Sequence, residues 1–177
     1  MTTRSSPGGM PTRRVRHVFF LIDCSATMQG RHIAWLNSAM EEVLDHLRDL
    51  DNDPRSWFKI KVQAIAFGNG ARWLFGRDGG ADVQFVVWRD VSSRGGTDLG
   101  AGLSLLDQSL NIDMLGRRCY PPNVVLLSAG LPTDNWMKSL QHLKANPFWR
   151  HVNRLAIPID ADADPGVLAT FMDRWEH

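Results

Sequence analysis

The stretch VRHVFFLIDCSATM, residues 15–28, decides the fold class, because an apolar run ends there in a loop of oxygen-bearing side chains. Residues 15–23 form a compact apolar segment that is typical of a strand covered on both faces. The next segment is amphipathic, since apolar residues recur every three or four positions, at Ile33, Leu36, Met40, Val43, Leu44 and Leu47. A strand followed by a helix is the repeating unit of α/β domains.

The rest of the chain continues this alternation. Further strands are predicted at 58–67, 71–75, 123–128 and 154–159, the second of them as a hairpin partner at a sheet edge. Three more helices are predicted from apolar periodicity, at Leu99–Met114, around Trp136, Leu140 and Leu143, and from Val167 to Trp175. Residues 76–97 give no clear pattern beyond a loop, a short strand or packed loop over 83–88, and a glycine-rich loop. We therefore expect a mostly parallel sheet with helices on both faces.

The composition is that of one globular domain. The chain has 177 residues, of which 44% are hydrophobic and 22% charged, which excludes disorder, collagen and coiled coil. A core of this size forms without disulfide or metal staples. We divide the chain into a flexible basic leader at 1–14, rich in Ser, Thr, Pro and Gly, and a single domain at 15–177.

Charge and cysteine usage point to no special partner. Twenty basic residues face nineteen acidic ones, a formal charge of +1, so no dominant field favours nucleic acid or membrane. The basic excess is local, at Arg4, Arg13, Arg14 and Arg16; this arm is interpreted as a solvated tail, with nucleic-acid contact as the alternative.

Two cysteines without a CxxC motif argue against a disulfide scaffold or structural zinc. No run approaches the ~20 apolar residues of a membrane span, so we expect a cytoplasmic protein.

Three loops place oxygen-bearing side chains at the carboxyl ends of the buried strands, where sites lie in such sheets. They read Asp23-Cys24-Ser25-Ala26-Thr27, Gly95-Gly96-Thr97-Asp98 and SAGLPTD (128–134). None contains a dinucleotide turn, a P-loop lysine or an acyl-nucleophile elbow. A carboxylate with several hydroxyls is the ligand set of a hard cation such as Mg²⁺. The alternative is that Ser25 and Thr27 cap the next helix.

The order of these motifs resembles that of a von Willebrand factor A domain. The motifs are a strand ending in D-x-S-x-T-M, then G-G-T opening a helix, then a strand running into S-x-G-x-P-T-D, and the likeness covers residues 15–177. The stretch PPNVVLLSAGLPTDNW (121–136) resembles the bacterial, tellurite-resistance-associated (TerY-like) branch. The resemblance implies a doubly wound, Rossmann-like sheet of order 3-2-1-4-5-6 with one antiparallel edge strand.

The resemblance also implies a metal-ion-dependent adhesion site (MIDAS) holding Mg²⁺ or Mn²⁺. Its ligands in this sequence would be Asp23, Ser25, Thr27 and Thr97. Ala129 replaces the usual Asp of the third loop, which removes one negative charge from the cation's surroundings, and the site is therefore interpreted as degenerate. Asp98 and Asp134 are possible compensators, although Asp134 is equally suited to cap the helix that begins near Asn135.

The resemblance implies a non-enzymatic protein-binding module in which a partner's Asp or Glu completes the metal site. Its bacterial branch is associated with stress-response and phosphorylation-signalling systems. The alternative is a haloacid-dehalogenase-like phosphatase with Asp23 as nucleophile, although Ser25 stands where a second Asp is usual. With Ala129 in place of the carboxylate, loops bearing tryptophan are another candidate binding surface. For each tryptophan, however, burial is the expectation.

Overall fold

The predicted alternation of strands and helices is present in the computed structural model, which describes residues 12–172. The elements are β1 (Arg14–Asp23), α1 (Arg31–Asn52), β2 (Phe58–Gly68), β3 (Gly70–Phe75), β4 (Ala81–Asp82), α2 (Leu99–Ser109), α3 (Ile112–Leu115), β5 (Asn123–Ser128), α4 (Trp136–Ala145), β6 (Asn153–Pro158) and α5 (Pro165–Met172). Residues 1–11 of the predicted leader and Trp175 of the predicted last helix lie outside the described residues.

The sheet confirms the predicted fold class. Its strand order is β3-β2-β1-β5-β6, and the two-residue β4 also pairs with β2. β1 lies parallel to β2 and β5, and β5 lies parallel to β6, whereas β3 is an antiparallel edge strand. The five longer strands thus follow the predicted order, but within residues 12–172 no strand takes the sixth position beyond β6.

Two apolar layers explain why β1 is a continuous apolar run. Phe19 and Leu21 belong to the core shared with α2, α4 and α5, whereas Phe20 and Ile22 belong to the core shared with α1. Alternate side chains of a strand point to opposite faces, so both faces of β1 must be apolar. Each fully buried Leu or Phe contributes about 2 kcal/mol relative to exposure. This central strand ends at Asp23, which places that carboxylate at the edge where the loops meet.

One sequence expectation needs correction at an element end. The predicted helix through Met114 stops at Ser109, because the Asn111 side chain accepts hydrogen bonds from the Asp113 and Met114 amides and starts the separate α3. In the unclear segment at 76–97, the structure contains β4 and a single 3₁₀ turn, Val83–Phe85, followed by irregular chain.

The first strand begins one residue before the predicted domain boundary at position 15. β1 begins at Arg14, whose guanidinium donates to the Cys119 carbonyl at 2.9 Å and lies 4.2 Å from the centre of the Tyr120 ring. The Arg16 guanidinium lies 4.8 Å from the centre of the Phe58 ring. These are cation–π distances, so both arginines are part of the folded domain rather than of a solvated arm. Among residues 12–172 no helix is long and apolar enough to cross a membrane.

Candidate functional site

Three loops meet at the carboxyl edge of the sheet, as the sequence predicts. The first loop is tied to the second by hydrogen bonds from the Ala26 amide to the Gly95 carbonyl at 3.0 Å and from the Arg94 amide to the Cys24 carbonyl at 2.9 Å. The Thr133 amide donates to the Thr97 carbonyl at 2.9 Å, which ties the third loop to the second. Backbone hydrogen bonds therefore fix the relative positions of the predicted site residues.

The Asp23 carboxylate is buried and held from both sides. Its Oδ1 accepts a hydrogen bond from the Ser25 amide at 2.9 Å, and its Oδ2 accepts from the Ser128 hydroxyl at 3.0 Å and the Ala129 amide at 3.1 Å. The side chain is fully buried. An attacking carboxylate needs an oxygen exposed to its substrate, so this geometry argues against the phosphatase alternative.

Three hydroxyl groups gather beside Asp23. The Ser25 Oγ lies 2.7 Å from the Thr27 Oγ1. A Cβ atom on Gly130 would lie 3.0 Å from the Thr27 Oγ1 and 3.5 Å from the Thr97 Oγ1, so glycine at this position leaves room for both hydroxyls. The structure thus brings all four predicted ligand residues to one edge.

The helix-cap alternative for Ser25 and Thr27 is wrong. The residue before the first turn of α1 is Gly30, and its φ of 76° is one that glycine adopts without strain. Ser25 precedes the 3₁₀ turn Ala26–Met28 but makes no side-chain hydrogen bond to it. Neither hydroxyl is therefore needed to start α1, and their described hydrogen bond is to each other.

The two possible compensators are already bound to the protein. Asp134 accepts hydrogen bonds from the Gly100 and Ala101 amides, each at 3.0 Å. Asp134 therefore stabilises the first turn of α2. The expectation that Asp134 caps α4 is wrong, because the N-cap of α4 is Asn135. Asp98 Oδ2 accepts from the Gly70 amide at 2.6 Å.

The donor set is consequently rich in hydroxyls and poor in charge. Within residues 12–172 no three His, Cys, Asp or Glu side chains are grouped as metal ligands. Asp23 supplies one carboxylate. Position 129 adds no second carboxylate, because Ala129 contributes only its backbone amide, which donates to Asp23. Such a set fits a hard cation that keeps waters and accepts a further anionic ligand.

Two cavities flank this edge. One, of about 470 Å³, lies towards β6 and is lined by His32, Trp35 and Asp160 among others. The His32 Nδ1 lies 3.3 Å from the Thr27 carbonyl and its Nε2 lies 3.4 Å from Asp160 Oδ2. The other cavity, of about 380 Å³, lies towards β3 and contains two arginines, Arg72 and Arg94, that the sequence did not single out.

The six tryptophans within residues 12–172 differ in burial, and Trp73 and Trp136 are partly buried. Trp88 and Trp149 are buried as expected, but Trp35 is 52% exposed and Trp57 is 77% exposed, so the expectation of burial is wrong for these two. Trp35 lines the larger cavity beside His32, whereas Trp57 precedes β2 at the opposite edge of the sheet.

The family model described as von Willebrand factor type A domain (VWA) matches residues 17–169, and the chain belongs to this family. A comparison with curated proteins gave no match.

Solved structures agree in fold at low sequence identity. Proximal thread matrix protein 1 from the mussel byssus, with a zinc-occupied MIDAS motif, has a TM-score of 0.63 at 18% identity over 90% of this chain and 42% of that chain. A von Willebrand factor type A protein from Catenulispora acidiphila has a TM-score of 0.62 at 18% identity over 91% of this chain and 36% of that one. VWA2 from Sulfolobus acidocaldarius, a paralogue of ArnB, has a TM-score of 0.51 at 15% identity over 83% of this chain and 35% of that one. The chain therefore spans about two fifths of the length of these proteins, and the likeness establishes the fold alone.

Proposed function

We propose that this chain is a non-enzymatic protein-binding module that binds an acidic residue of its partner through a divalent cation at the carboxyl edge of the sheet. The observation that carries the proposal is the grouping of the Ser25, Thr27 and Thr97 hydroxyls around Gly130, beside the buried Asp23 carboxylate. Hydroxyl oxygens with one carboxylate suit Mg²⁺ or Mn²⁺. The zinc-occupied MIDAS of the mussel protein supports binding of a divalent ion at this kind of site.

The charge balance explains why a partner's carboxylate would bind. A divalent cation beside a single carboxylate keeps a net positive charge, because Ala129 stands where the family resemblance places an acidic residue. At an effective dielectric constant of about 20, two opposite unit charges roughly 4 Å apart attract each other by ~4 kcal/mol. The cost of removing both charges from water is still to be subtracted from this value. The degenerate site therefore gains more from a partner's Asp or Glu than a site with two carboxylates of its own. When bound, the cation would supply the positive charge that the partner's carboxylate recognises.

The wider context remains a prediction from the motifs. The PPNVVLLSAGLPTDNW segment carries the proposed relation to the tellurite-resistance-associated branch, and with it a cytoplasmic role in stress response or phosphorylation signalling. The folded arginines at positions 14 and 16 weaken the case for a nucleic-acid-binding arm, since both guanidiniums stack on aromatic rings.

The proposal is tested by the metal dependence of carboxylate binding. Fluorescently labelled hexaglutamate is titrated with the protein in Mn²⁺ and then in EDTA, and its anisotropy is measured. We expect tighter binding in Mn²⁺, and we expect this metal-dependent gain to disappear in Ser25→Ala, because that variant lacks one of the grouped hydroxyls.

A matched control separates this effect from general damage. Ser38→Ala removes an exposed hydroxyl on α1, and we expect it to behave as the wild type. Equal hexaglutamate affinity in Mn²⁺ and EDTA, or a metal-dependent gain that survives in Ser25→Ala, would contradict the proposed site.

A further inference from the structure

We infer that the cavity between β3 and the loop 23–27 of the proposed metal site (the metal loop) is a second anion site, which binds another carboxylate of the same acidic partner segment. This inference rests on the proposed function and names the chemistry of the partner more closely. The cavity has a volume of about 380 Å³, and its lining includes Cys24, Gly68, Arg72, Ser92 and Arg94.

Two unpaired arginines give the cavity its charge. Arg72 comes from β3 and Arg94 from the loop before α2, and both side chains are exposed. Neither guanidinium makes an ion pair or a hydrogen bond to another described residue, and none of the described residues that line the cavity is acidic. By contrast, Arg48 and Arg55 are paired with Asp45 and Asp53.

The walls of the cavity are fixed by the same hydrogen bonds that build the metal loops. The Arg94 amide donates to the Cys24 carbonyl at 2.9 Å, and the Gly96 amide donates to the Asn69 side chain at 2.7 Å. Gly68 packs closely, since a Cβ there would lie 3.2 Å from the Arg94 carbonyl oxygen and 3.3 Å from that of Cys24. A cavity held in this way loses little conformational freedom when an anion enters it.

The position of the cavity favours an acidic peptide as its occupant. Guanidinium groups bind carboxylates and phosphates with paired hydrogen bonds. Cys24, which lines the cavity, lies in sequence between Asp23 and Ser25 of the proposed metal site. The two sites share this loop, and an extended segment places side chains on one side roughly every 7 Å, so we expect one acidic segment to contact both sites. Positive charge at both sites then selects a partner segment with several acidic residues.

The test uses binding that survives removal of the metal. Labelled hexaglutamate is titrated with the protein in EDTA at low salt, with hexaglutamine as the neutral probe. We expect saturable binding of hexaglutamate, weakened at least tenfold in the double variant Arg72→Gln/Arg94→Gln. Arg77→Gln, an exposed arginine of the turn after β3 that does not line the cavity, is the matched control and should bind as the wild type.

The outcomes separate this inference from the proposed function. No saturable binding in EDTA, or equal binding by the wild type and the double variant, would overturn the second site and leave the metal-dependent gain untouched. A third arm uses inorganic phosphate. Binding of phosphate that depends on Arg72 and Arg94, without binding of hexaglutamate, would identify a phosphate site and overturn the assignment to an acidic segment.

Discussion

The Ser25 hydroxyl oxygen lies 2.7 Å from the Thr27 hydroxyl oxygen, across the start of the short 3₁₀ turn Ala26–Met28. The pair is held in place because the Ala26 amide between them donates to the Gly95 carbonyl at 3.0 Å, while Asp23 accepts from the Ser25 amide at 2.9 Å. The hydroxyls are thus positioned by the backbone before any ligand arrives. Positioning of this kind lowers the cost of binding a cation.

Restoring the missing carboxylate should strengthen metal binding. We expect Ala129→Asp to raise the affinity for Mg²⁺ and Mn²⁺ about tenfold, or ~1.4 kcal/mol, because a second negative charge then faces the cation. Without metal the same change should lower the free energy of unfolding by about 1 kcal/mol, since the new carboxylate lies close to Asp23. Calorimetric titration and denaturant unfolding measure the two effects. Ala145→Asp adds an equal charge at the exposed end of α4 and should leave metal affinity unchanged; an equal gain there would contradict a local effect.

The two cysteines should differ in reactivity. Burial raises the pKa of the Cys24 thiol to about 11, the Asp23 charge adds to this, and Arg72 opposes it. Cys119 is partly exposed. At pH 8 we therefore expect one thiol of the folded protein to react promptly with a disulfide reagent, and Cys119→Ser to abolish that phase. A prompt phase that persists in Cys119→Ser would show that Cys24 is accessible.

His17 should make stability depend on pH. Its buried Nε2 lies 3.0 Å from the Leu115 carbonyl oxygen, and its Nδ1 lies 2.8 Å from the side-chain nitrogen of Gln63. Burial of the ring lowers the pKa of His17 below the usual 6.5. At pH values between the lowered pKa of His17 in the folded protein and 6.5, the unfolded chain protonates His17 more readily than the folded protein does. The free energy of unfolding therefore falls as the pH drops through this window. Denaturant unfolding at several pH values should show a smaller slope in His17→Gln. An identical slope in both proteins would exclude His17 as the cause.

Asp51 should contribute more to stability than its neighbours on α1. Its carboxylate is buried and accepts hydrogen bonds from Lys59 Nζ at 2.6 Å, the Ile60 amide at 2.7 Å and Gln84 Nε2 at 2.9 Å. Burial opposes the charge, but these hydrogen bonds hold the pKa of Asp51 below its usual value. We expect Asp51→Asn to cost about 2 kcal/mol of unfolding free energy. Asp49→Asn, on the exposed side of the helix, should change it by less than about 0.5 kcal/mol, and equal losses would contradict this role.

The sequence predicted those parts of the fold that depend on apolar periodicity. β1, β2 and β5 are recognisable because they are buried on both faces, and the pattern of α1 is amphipathic from Ile33 to Leu47. The convergence of the loops followed from the rule that parallel strands end at one edge of the sheet. Periodicity carries no information on where isolated polar side chains point, which explains why the roles of Asp134 and Asn111 were missed.

The exposure of Trp35 follows from a signal that the sequence contained. Trp35 lies in α1 but outside its recurring apolar positions, and it is 52% exposed beside a cavity formed with the loop after β6. Arg72 and Arg94 are far apart in sequence and belong to no motif. Tertiary contacts alone bring them together.

The most direct measurement is calorimetric titration of Mg²⁺ and Mn²⁺ into protein stripped with EDTA, run in parallel on Ser25→Ala and Ser38→Ala. We predict saturable binding to a single site in the wild type and Ser38→Ala, and loss of that binding in Ser25→Ala, because the Ser25 and Thr27 hydroxyls act as a pair. No saturable binding by the wild type, or equal binding by Ser25→Ala, would contradict a cation site built from these hydroxyls.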